Sequence, residues 1–173
     1  MKSPLRLLAC SALLLLAGTA AQAQERLHSP DLPGYVAAYD AANATQSILE
    51  EVPAGQSITA WTAMVTTQRF AMDQVSLDVF ADAFLGGLLQ SCPRASHSQP
   101  ERLSHFGVPA MIFTAVCPNS PATGRSEEMT VLALAGQGAL HVKQVAFRAG
   151  YAGDTGWADG FLRATRLCEG TCR

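Results

Sequence analysis

The sequence has 173 residues, of which 49% are apolar, and its 12 basic and 14 acidic residues give a net charge of −2. This composition is typical of a globular protein and excludes collagen-like, low-complexity and strongly charged disordered chains. The chain contains no run of Lys or Arg. It therefore lacks the basic patch that attracts nucleic acid or an anionic lipid surface, and we expect neither as a partner.

The N-terminus is typical of a secretory signal peptide. Lys2 and Arg6 precede the apolar run Leu7–Ala17, and small residues in Ala21–Ala23 occupy the positions that signal peptidase reads. We expect cleavage after Ala23. The apolar run is too short to span a membrane as an anchor, so we expect no membrane span in the mature chain.

Lipidation at Cys10, which follows Leu7–Ala9, is the alternative interpretation of the leader, but most of the apolar region comes after this cysteine. Cleavage after Ala23 leaves 150 residues with 10 basic and 14 acidic side chains, a net charge of −4. That length is enough for one domain with a core of its own. We divide the chain into a signal peptide (1–23), a polar lead-in (24–34) and a single disulfide-stabilised domain (35–173).

Four cysteines remain in the mature chain: Cys92, Cys117, Cys168 and Cys172. An even number of cysteines in an exported chain indicates disulfides, and four cysteines allow three connectivities. Cys168 and Cys172 are close enough in sequence to pair locally. We therefore expect the bonds Cys92–Cys117 and Cys168–Cys172, with the protein in the periplasm or secreted.

The first part of the domain reads as two short strands, Tyr35–Asp40 and Ser47–Val52. The alanines between them leave a helix from Val36 to Glu51 as an alternative. Pro53 ends either element, because it has no backbone N–H to donate.

The segment Ser57–Phe70 is rich in β-branched residues, which favours a strand over most of its length. A helical turn at Ser57–Ala60 is an alternative start, because Ser57 can cap a helix. Trp61 is interpreted as a core anchor. The competing interpretation is an aromatic side chain that stacks on a ligand.

The strongest helix prediction is Ser76–Cys92, because apolar residues recur there at three- and four-residue spacing on one buried face and Pro93 follows. The residues of this buried stripe are Leu77, Phe80, Ala81, Phe84, Leu88 and Cys92. A polar loop, Arg94–Glu101, leads on to the strand Ala110–Cys117. On that strand, alternation places Met111, Phe113, Ala115 and Cys117 on one side. The helix and the strand then present Cys92 and Cys117 to the same interior. Closing a loop of that size contributes roughly 3 kcal/mol.

The segment Glu127–Arg148 predicts a β-hairpin that turns at Gly136-Gln137-Gly138, since glycine accepts the positive φ of a tight turn. A last helix is predicted at Trp157–Cys168, with Trp157, Phe161, Ala164 and Cys168 along one stripe. Gly170 suits the reversal after that helix.

Taken together, these elements predict an α+β fold. Consecutive strands joined by short turns pair antiparallel, which gives a sheet of about four to six strands. Both helices are expected to cover one side of that sheet.

Signatures of catalysis and of metal binding are weak. Neither Gly-x-Ser-x-Gly nor, in the mature chain, Ser-x-x-Lys occurs, and a cysteine in a disulfide offers no thiolate. His97, His105 and His141 share no ligand spacing such as His-x-x-x-His, so we expect no metal and no cofactor. The acidic pair Asp78 and Asp82 reads as a solvated helix face. Four residues remain candidates for contact with a ligand or partner: Trp61, His97, His105 and His141.

Two segments carry a family resemblance. Val52–Gly55 followed by Trp61–Gln68 (WTAMVTTQ) resembles a segment of small exported bacterial proteins of unknown function, and Ala135–Arg148 resembles their hairpin. Gln56 and Ala60 depart from the pattern, which has acidic or amide residues there. The resemblance covers about a third of the mature chain. It implies a Mog1/PsbP-like sandwich, similar to the periplasmic DcrB-type proteins, and an accessory or binding role.

These observations favour an exported, non-enzymatic accessory protein that binds an unknown protein or envelope component through one sheet face or loop. The first alternative is a small hydrolase or metal-dependent enzyme of the cell envelope, working in the polar loops with Arg94, His97 and His105 near its site. The second is an inhibitor of a secreted hydrolase.

Overall fold

The computed structural model describes residues 25–72, 74, 76–148 and 155–170. Within these residues, eight strands form one antiparallel sheet, two more form a small second sheet, and two helices pack on the large sheet. The small sheet pairs β1 (Glu25–His28) with β10 (Arg166–Glu169), and the helices are α1 (Leu77–Ser91) and α2 (Thr155–Ala164). The large sheet contains β2 (Tyr35–Ala42), β3 (Gln46–Pro53), β4 (Ala63–Ala71), β5 (Ser96–His97), β6 (Glu101–His105), β7 (Val108–Cys117), β8 (Glu127–Ala135) and β9 (Ala139–Arg148).

The α+β class is confirmed, but the predicted sheet of four to six strands was too small. The strand order is β2-β3-β4-β9-β8-β7, and β5 and β6 both pair with the outer edge of β7, one after the other. β5 has two residues and lies in the predicted polar loop Arg94–Glu101. Strands this short carry too little alternation to stand out from a loop in the sequence.

The prediction that both helices cover one side of the sheet was wrong. α1 packs on one face with Met64, Val131 and Val142, whereas α2 packs on the other with Val65, Leu132 and Val145. We call these the α1 face and the α2 face. Neighbouring residues of β4, β8 and β9 are buried on opposite faces, so the centre of the sheet needs cover on both sides.

The predicted hairpin is confirmed as β8 and β9, which pair in unbroken register from Glu127 opposite Arg148 to Ala135 opposite Leu140. Gly138 has a φ of 73°, as the turn requires. Gly136 has no positive φ. It lies so close to the Glu25 carboxylate that a Cβ at this position would overlap it. Glycine is therefore needed at 136 to make room for Glu25 and not to form the turn.

The Cys92–Cys117 disulfide is confirmed, with Cα atoms 6.0 Å apart. Ser76 caps α1 by accepting a hydrogen bond from Val79 N, and Cys92 stands at the C-cap. Cys117 ends β7 on the buried side, as strand alternation predicted. The bond therefore joins the C-terminal end of α1 to the end of a strand beneath it.

The last helix ends earlier than predicted. α2 stops at Ala164, where Thr165 Oγ1 donates to Phe161 O, and Cys168 lies in β10 rather than on a helical stripe. Residues Arg166–Glu169 pair with β1 as a strand, although their apolar spacing would also suit a helix. Cys168 is disulfide-bonded, and the predicted partner Cys172 lies outside the described residues.

Two ambiguities of the sequence are resolved. β2 and β3 are strands that pair with each other, so the alternative helix from Val36 to Glu51 does not form. The strand predicted within Ser57–Phe70 begins only at Ala63. Before it, the loop is fastened by Gln56, whose Oε1 accepts from Thr62 N at 2.7 Å.

Replacing both Cys92 and Cys117 with alanine is expected to lower the free energy of unfolding by about 3 kcal/mol, because the disulfide closes a loop with a sequence separation of 25. Urea unfolding of the oxidised wild type and of the double variant measures the difference. An unchanged midpoint and slope would show that the bond contributes nothing to stability.

Candidate functional site

An open apolar groove lies on the α1 face, between the N-terminal half of α1 and the ends of β4 and β9. Its volume is about 680 Å³, and none of the described residues that line it is charged. Gln68, Gln74 and Ser76 supply polar groups, and Val79 is 67% exposed. The apolar lining consists of Phe70, Met72, Val79, Phe80, Ala83, Phe84 and Leu140.

The groove exists because the sheet is wider than one helix. Neighbouring strands lie about 4.8 Å apart and a helix is about 10 Å across, so a single helix covers about two strands. α1 packs over β7 and β8. On its flank away from the groove, Asp78 pairs with Arg102 of β6. The part of the α1 face formed by β4 is therefore not covered by the helix, and the groove lies there.

Aromatic packing gives the groove a firm inner wall. The rings of Phe80 and Phe84 lie with centroids 5.8 Å apart, and Phe84 meets the buried Phe113 of β7 edge-on at 5.4 Å. Such aromatic pairs add to the stabilisation that burial gives. The helix wall of the groove therefore rests directly on the core.

The open part of the α1 face continues from the groove towards the edge strand β2. Ile48 of β3 pairs with Gln68, and Tyr39 of β2 pairs with Glu50. Tyr39 is 47% exposed and Val36 is 45% exposed. Partial burial raises the pKa of Glu50 above its usual value. This side of the face thus combines exposed apolar side chains with one partly desolvated carboxyl group.

Trp61, predicted as a core anchor, is 7% exposed and belongs to the core on the α1 face. The guanidinium of Arg148 lies 3.8 Å from its ring centroid. Arg148 also donates from Nε to Glu127 Oε1 at 3.0 Å and from Nη1 to Thr59 O at 3.1 Å. A polar cleft of about 430 Å³ borders the indole, but the surface of the ring is occupied by Arg148.

The structure does not bring His97 and His105 together. His97 is exposed on β5 opposite Ala115, whereas His105 lies on β6 opposite Val108. These positions are seven residues apart on β7, or roughly 24 Å at about 3.4 Å per residue. His105 is buried, and its Nε2 lies 2.7 Å from the carbonyl oxygen of Thr165 after α2. Its role is to join β6 to the end of that helix.

His141 belongs to a buried polar band on the α2 face. It is 2% exposed, and its Nε2 lies 3.6 Å from Glu25 Oε2. Burial lowers the pKa of His141 from its usual value, the charge of Arg69 adds to this, and Glu25 opposes it. Lys143, on the same strand, donates to Thr67 Oγ1 at 2.6 Å, and burial lowers its pKa as well.

Among the described residues, no three His, Cys, Asp or Glu side chains form a group that could hold a metal ion. In the same part of the chain, no helix is both long and apolar enough to cross a membrane.

The chain matches no protein-family model and no curated protein.

Sequence reasoning predicted the helical face that carries Phe80 and Phe84 but not the groove beside it. The predicted core position of these two residues is partly correct, because both rings contact the buried Phe113, but both also line the open groove. A signal was present in Val79, an apolar residue on α1 outside the predicted buried stripe. The sequence could not show how many strands α1 leaves uncovered.

Arg148→Met is expected to lower the free energy of unfolding by about 3 kcal/mol, because it leaves the mostly buried Glu127 carboxylate without its cation and releases the loop at Thr59. Urea unfolding measures the loss. Arg163→Met is the control, since Arg163 forms an exposed pair with Asp159 and such pairs contribute little. Equal losses of stability in the two variants would contradict a stabilising role of the buried Arg148–Glu127 pair.

The stability of the protein is expected to fall as the pH drops below about 6.5. Because the folded-state pKa of His141 is lowered, the unfolded state takes up the proton first, and stability is lost down through the folded pKa. His141→Gln is expected to flatten this slope between pH 7 and 5, whereas His97→Gln retains it. Urea unfolding at each pH measures both, and equal slopes for wild type and His141→Gln would contradict the prediction.

Proposed function

We propose that this chain is an exported, non-enzymatic binding protein whose partner docks in the groove beside α1. The supporting observation is the groove itself, an apolar surface with no charged side chain among its described residues, whose volume of about 680 Å³ lies within the range of ligand sites. Exposed apolar surface of this kind is costly unless it is covered during function. Val79 and Phe70 are the residues expected to meet the partner first.

The occupant that we propose is an amphipathic helix of another protein. The groove beside α1 lies over two strands, β4 and β9, and two strands have about the width of one helix. A helix placed there would pack on the sheet alongside α1 and present apolar side chains at three- and four-residue spacing. An acyl chain would fill the groove but not the adjoining face at Ile48 and Tyr39.

Charge supports the same occupant. Glu50 lies on the open side of the α1 face, next to Tyr39, and burial already raises its pKa. Covering this carboxyl group further would be unfavourable without a cation or hydrogen-bond donor opposite it. We therefore propose a partner helix with an apolar stripe flanked by Lys or Arg.

Export and the finer fold are also part of the proposal. The leader ending at Ala23 and the Cys92–Cys117 disulfide support the periplasm or the medium as the site of action. The resemblance of Val52–Gly55 and Trp61–Gln68 supports a Mog1/PsbP-like sandwich of the DcrB type. In the fold these two segments flank the loop that Gln56 and Arg148 fasten, which gives the motif a structural role.

The enzyme alternative has less support. It needs His97, His105 and Arg94 in one site, and the pairing of β5 and β6 with β7 separates the two histidines. The inhibitor alternative remains compatible with a docking groove, because an inhibitor is also a binding protein. It differs only in the identity of the partner.

The test uses tagged mature protein, purified from its native envelope fraction, with co-purifying proteins identified by mass spectrometry. Val79→Glu places a charge in the groove, and it is expected to fold because Val79 is exposed and glutamate suits the first turns of a helix. Recovery of the partner is expected to fall at least about 10-fold with Val79→Glu, the effect of about 1.4 kcal/mol.

Leu89→Glu is the matched control. Leu89 is 41% exposed on α1 but does not line the groove, so this variant is expected to retain the partner. The amphipathic helix of the recovered protein, as a synthetic peptide, should compete for binding. Equal recovery with both variants would place the partner elsewhere, and an acyl chain found by native mass spectrometry in place of a protein would overturn the proposed occupant.

A further inference from the structure

The turn between β8 and β9 holds a carboxylate. Both oxygens of Glu25 accept from Gln137 N, at 2.9 and 2.8 Å, although 112 residues separate the two. A backbone N–H that donates to an ionised carboxylate makes a stronger bond than a neutral pair does. Glu25 belongs to β1, which lies outside the large sheet, so this contact ties the start of the described chain to the central hairpin.

The turn is shaped to admit this carboxylate. Gly136 needs no positive φ, yet a Cβ at this position would overlap Glu25. Any other residue at 136 would therefore displace the carboxylate or the nearby Leu167 of β10. Glycine is explained here by the approach of β1 rather than by the geometry of the turn.

Two buried side chains near the turn, His141 and Arg69, have nitrogen atoms without a hydrogen-bond partner among the described residues. His141 Nε2 lies 3.6 Å from Glu25 Oε2 and has no hydrogen-bond partner among the described residues, and Arg69 Nε of the paired strand β4 is likewise buried without one. Leu134 of β8 faces His141 with an apolar side chain. A buried histidine nitrogen without a hydrogen-bond partner thus lies next to the carboxylate, and a buried polar group of this kind calls for an explanation such as a nearby anion.

A cleft of about 300 Å³ opens beside the carboxylate and gives access to it. Gln137 and Glu169 line the cleft with Glu25, and Gln137 Nε2 donates to Glu169 Oε1 at 3.2 Å. Glu169 is the one other carboxylate that lines this cleft among the described residues, and it pairs with Glu25 in the β1–β10 register.

We propose that the β8–β9 turn is a carboxylate-binding site, formed by Gln137 N–H and His141, whose resident ligand is Glu25 of the chain's own N-terminal strand. The ligand class is a carboxylate carried on an extended segment. Glu25 is the second residue of the expected mature chain, so the site fastens the segment that follows the predicted processing point. The site is separate from the groove beside α1, and either can fail without the other.

The first readout is trypsin cleavage after Arg26, which lies in β1 and becomes accessible when β1 leaves β10. Glu25→Ala is expected to accelerate this cleavage at least about 10-fold, since hydrogen bonds to charged groups are among the strong ones. Asp31→Ala removes an exposed carboxylate nearby and is expected to leave the rate unchanged. Cleavage after Lys143, which is buried in the central strand β9, serves as the internal reference for global unfolding.

The second readout is chemical rescue. Formate added to Glu25→Ala is expected to restore protection at Arg26 and to slow the hydrogen exchange of the Gln137 amide, whereas chloride at the same ionic strength does neither. Gly136→Ala is expected to accelerate cleavage in the wild type and to have less effect in the Glu25→Ala background. The proposal is overturned if Glu25→Ala is cleaved at the wild-type rate, or if formate protects no better than chloride.

Discussion

The backbone ladder between β8 and β9 is the interaction on which the other elements depend. These strands lie in the middle of the large sheet, and most of their side chains are buried on one face or the other. A hairpin that is apolar on both faces cannot remain half covered, so it requires a layer on each side. α1 and α2 supply those layers, and β4 and β7 satisfy the outer edges of the two strands.

Local sequence determined much of this arrangement. The hairpin and α1 each follow from periodicity and turn residues within a single segment, and the Cys92–Cys117 bond follows from combining the helical period of one segment with the strand alternation of another. Sequence reasoning missed the short strands β5 and β6 beside β7, and it missed two strands whose partners are distant in the chain. β1 and β10 are four residues each and exist because they pair across the whole chain, and α2 gives up its last turn to allow that pairing. The opposite placement of the helices could have been anticipated from the unbroken apolar run of β8, which suits burial on both faces.

The histidines could be picked out as candidate site residues from the sequence, whereas the groove could not. Histidine was a candidate for the site because its side chain can bind metals and transfer protons. In the fold, His105 contacts the carbonyl oxygen of Thr165 and His141 lies beside Glu25, and neither histidine lines the groove. The groove arises from a mismatch between the width of the sheet and the width of α1, which is a property of the assembled fold. Its residues are ordinary core residues in composition, and only their place at the flank of the helix leaves them exposed.

The two ends of α1 are held to the sheet by unequal means. At its C-terminal end the disulfide joins Cys92 covalently to the end of β7, whereas near its N-terminus an exposed ion pair between Asp78 and Arg102 is the polar tie to β6, and such a pair holds weakly. Burial of Leu77 and Ala81 in the core therefore holds the N-terminal half of α1, and the ion pair adds little. The helix wall of the groove is thus in place before an occupant arrives, so binding there spends little free energy on ordering this wall.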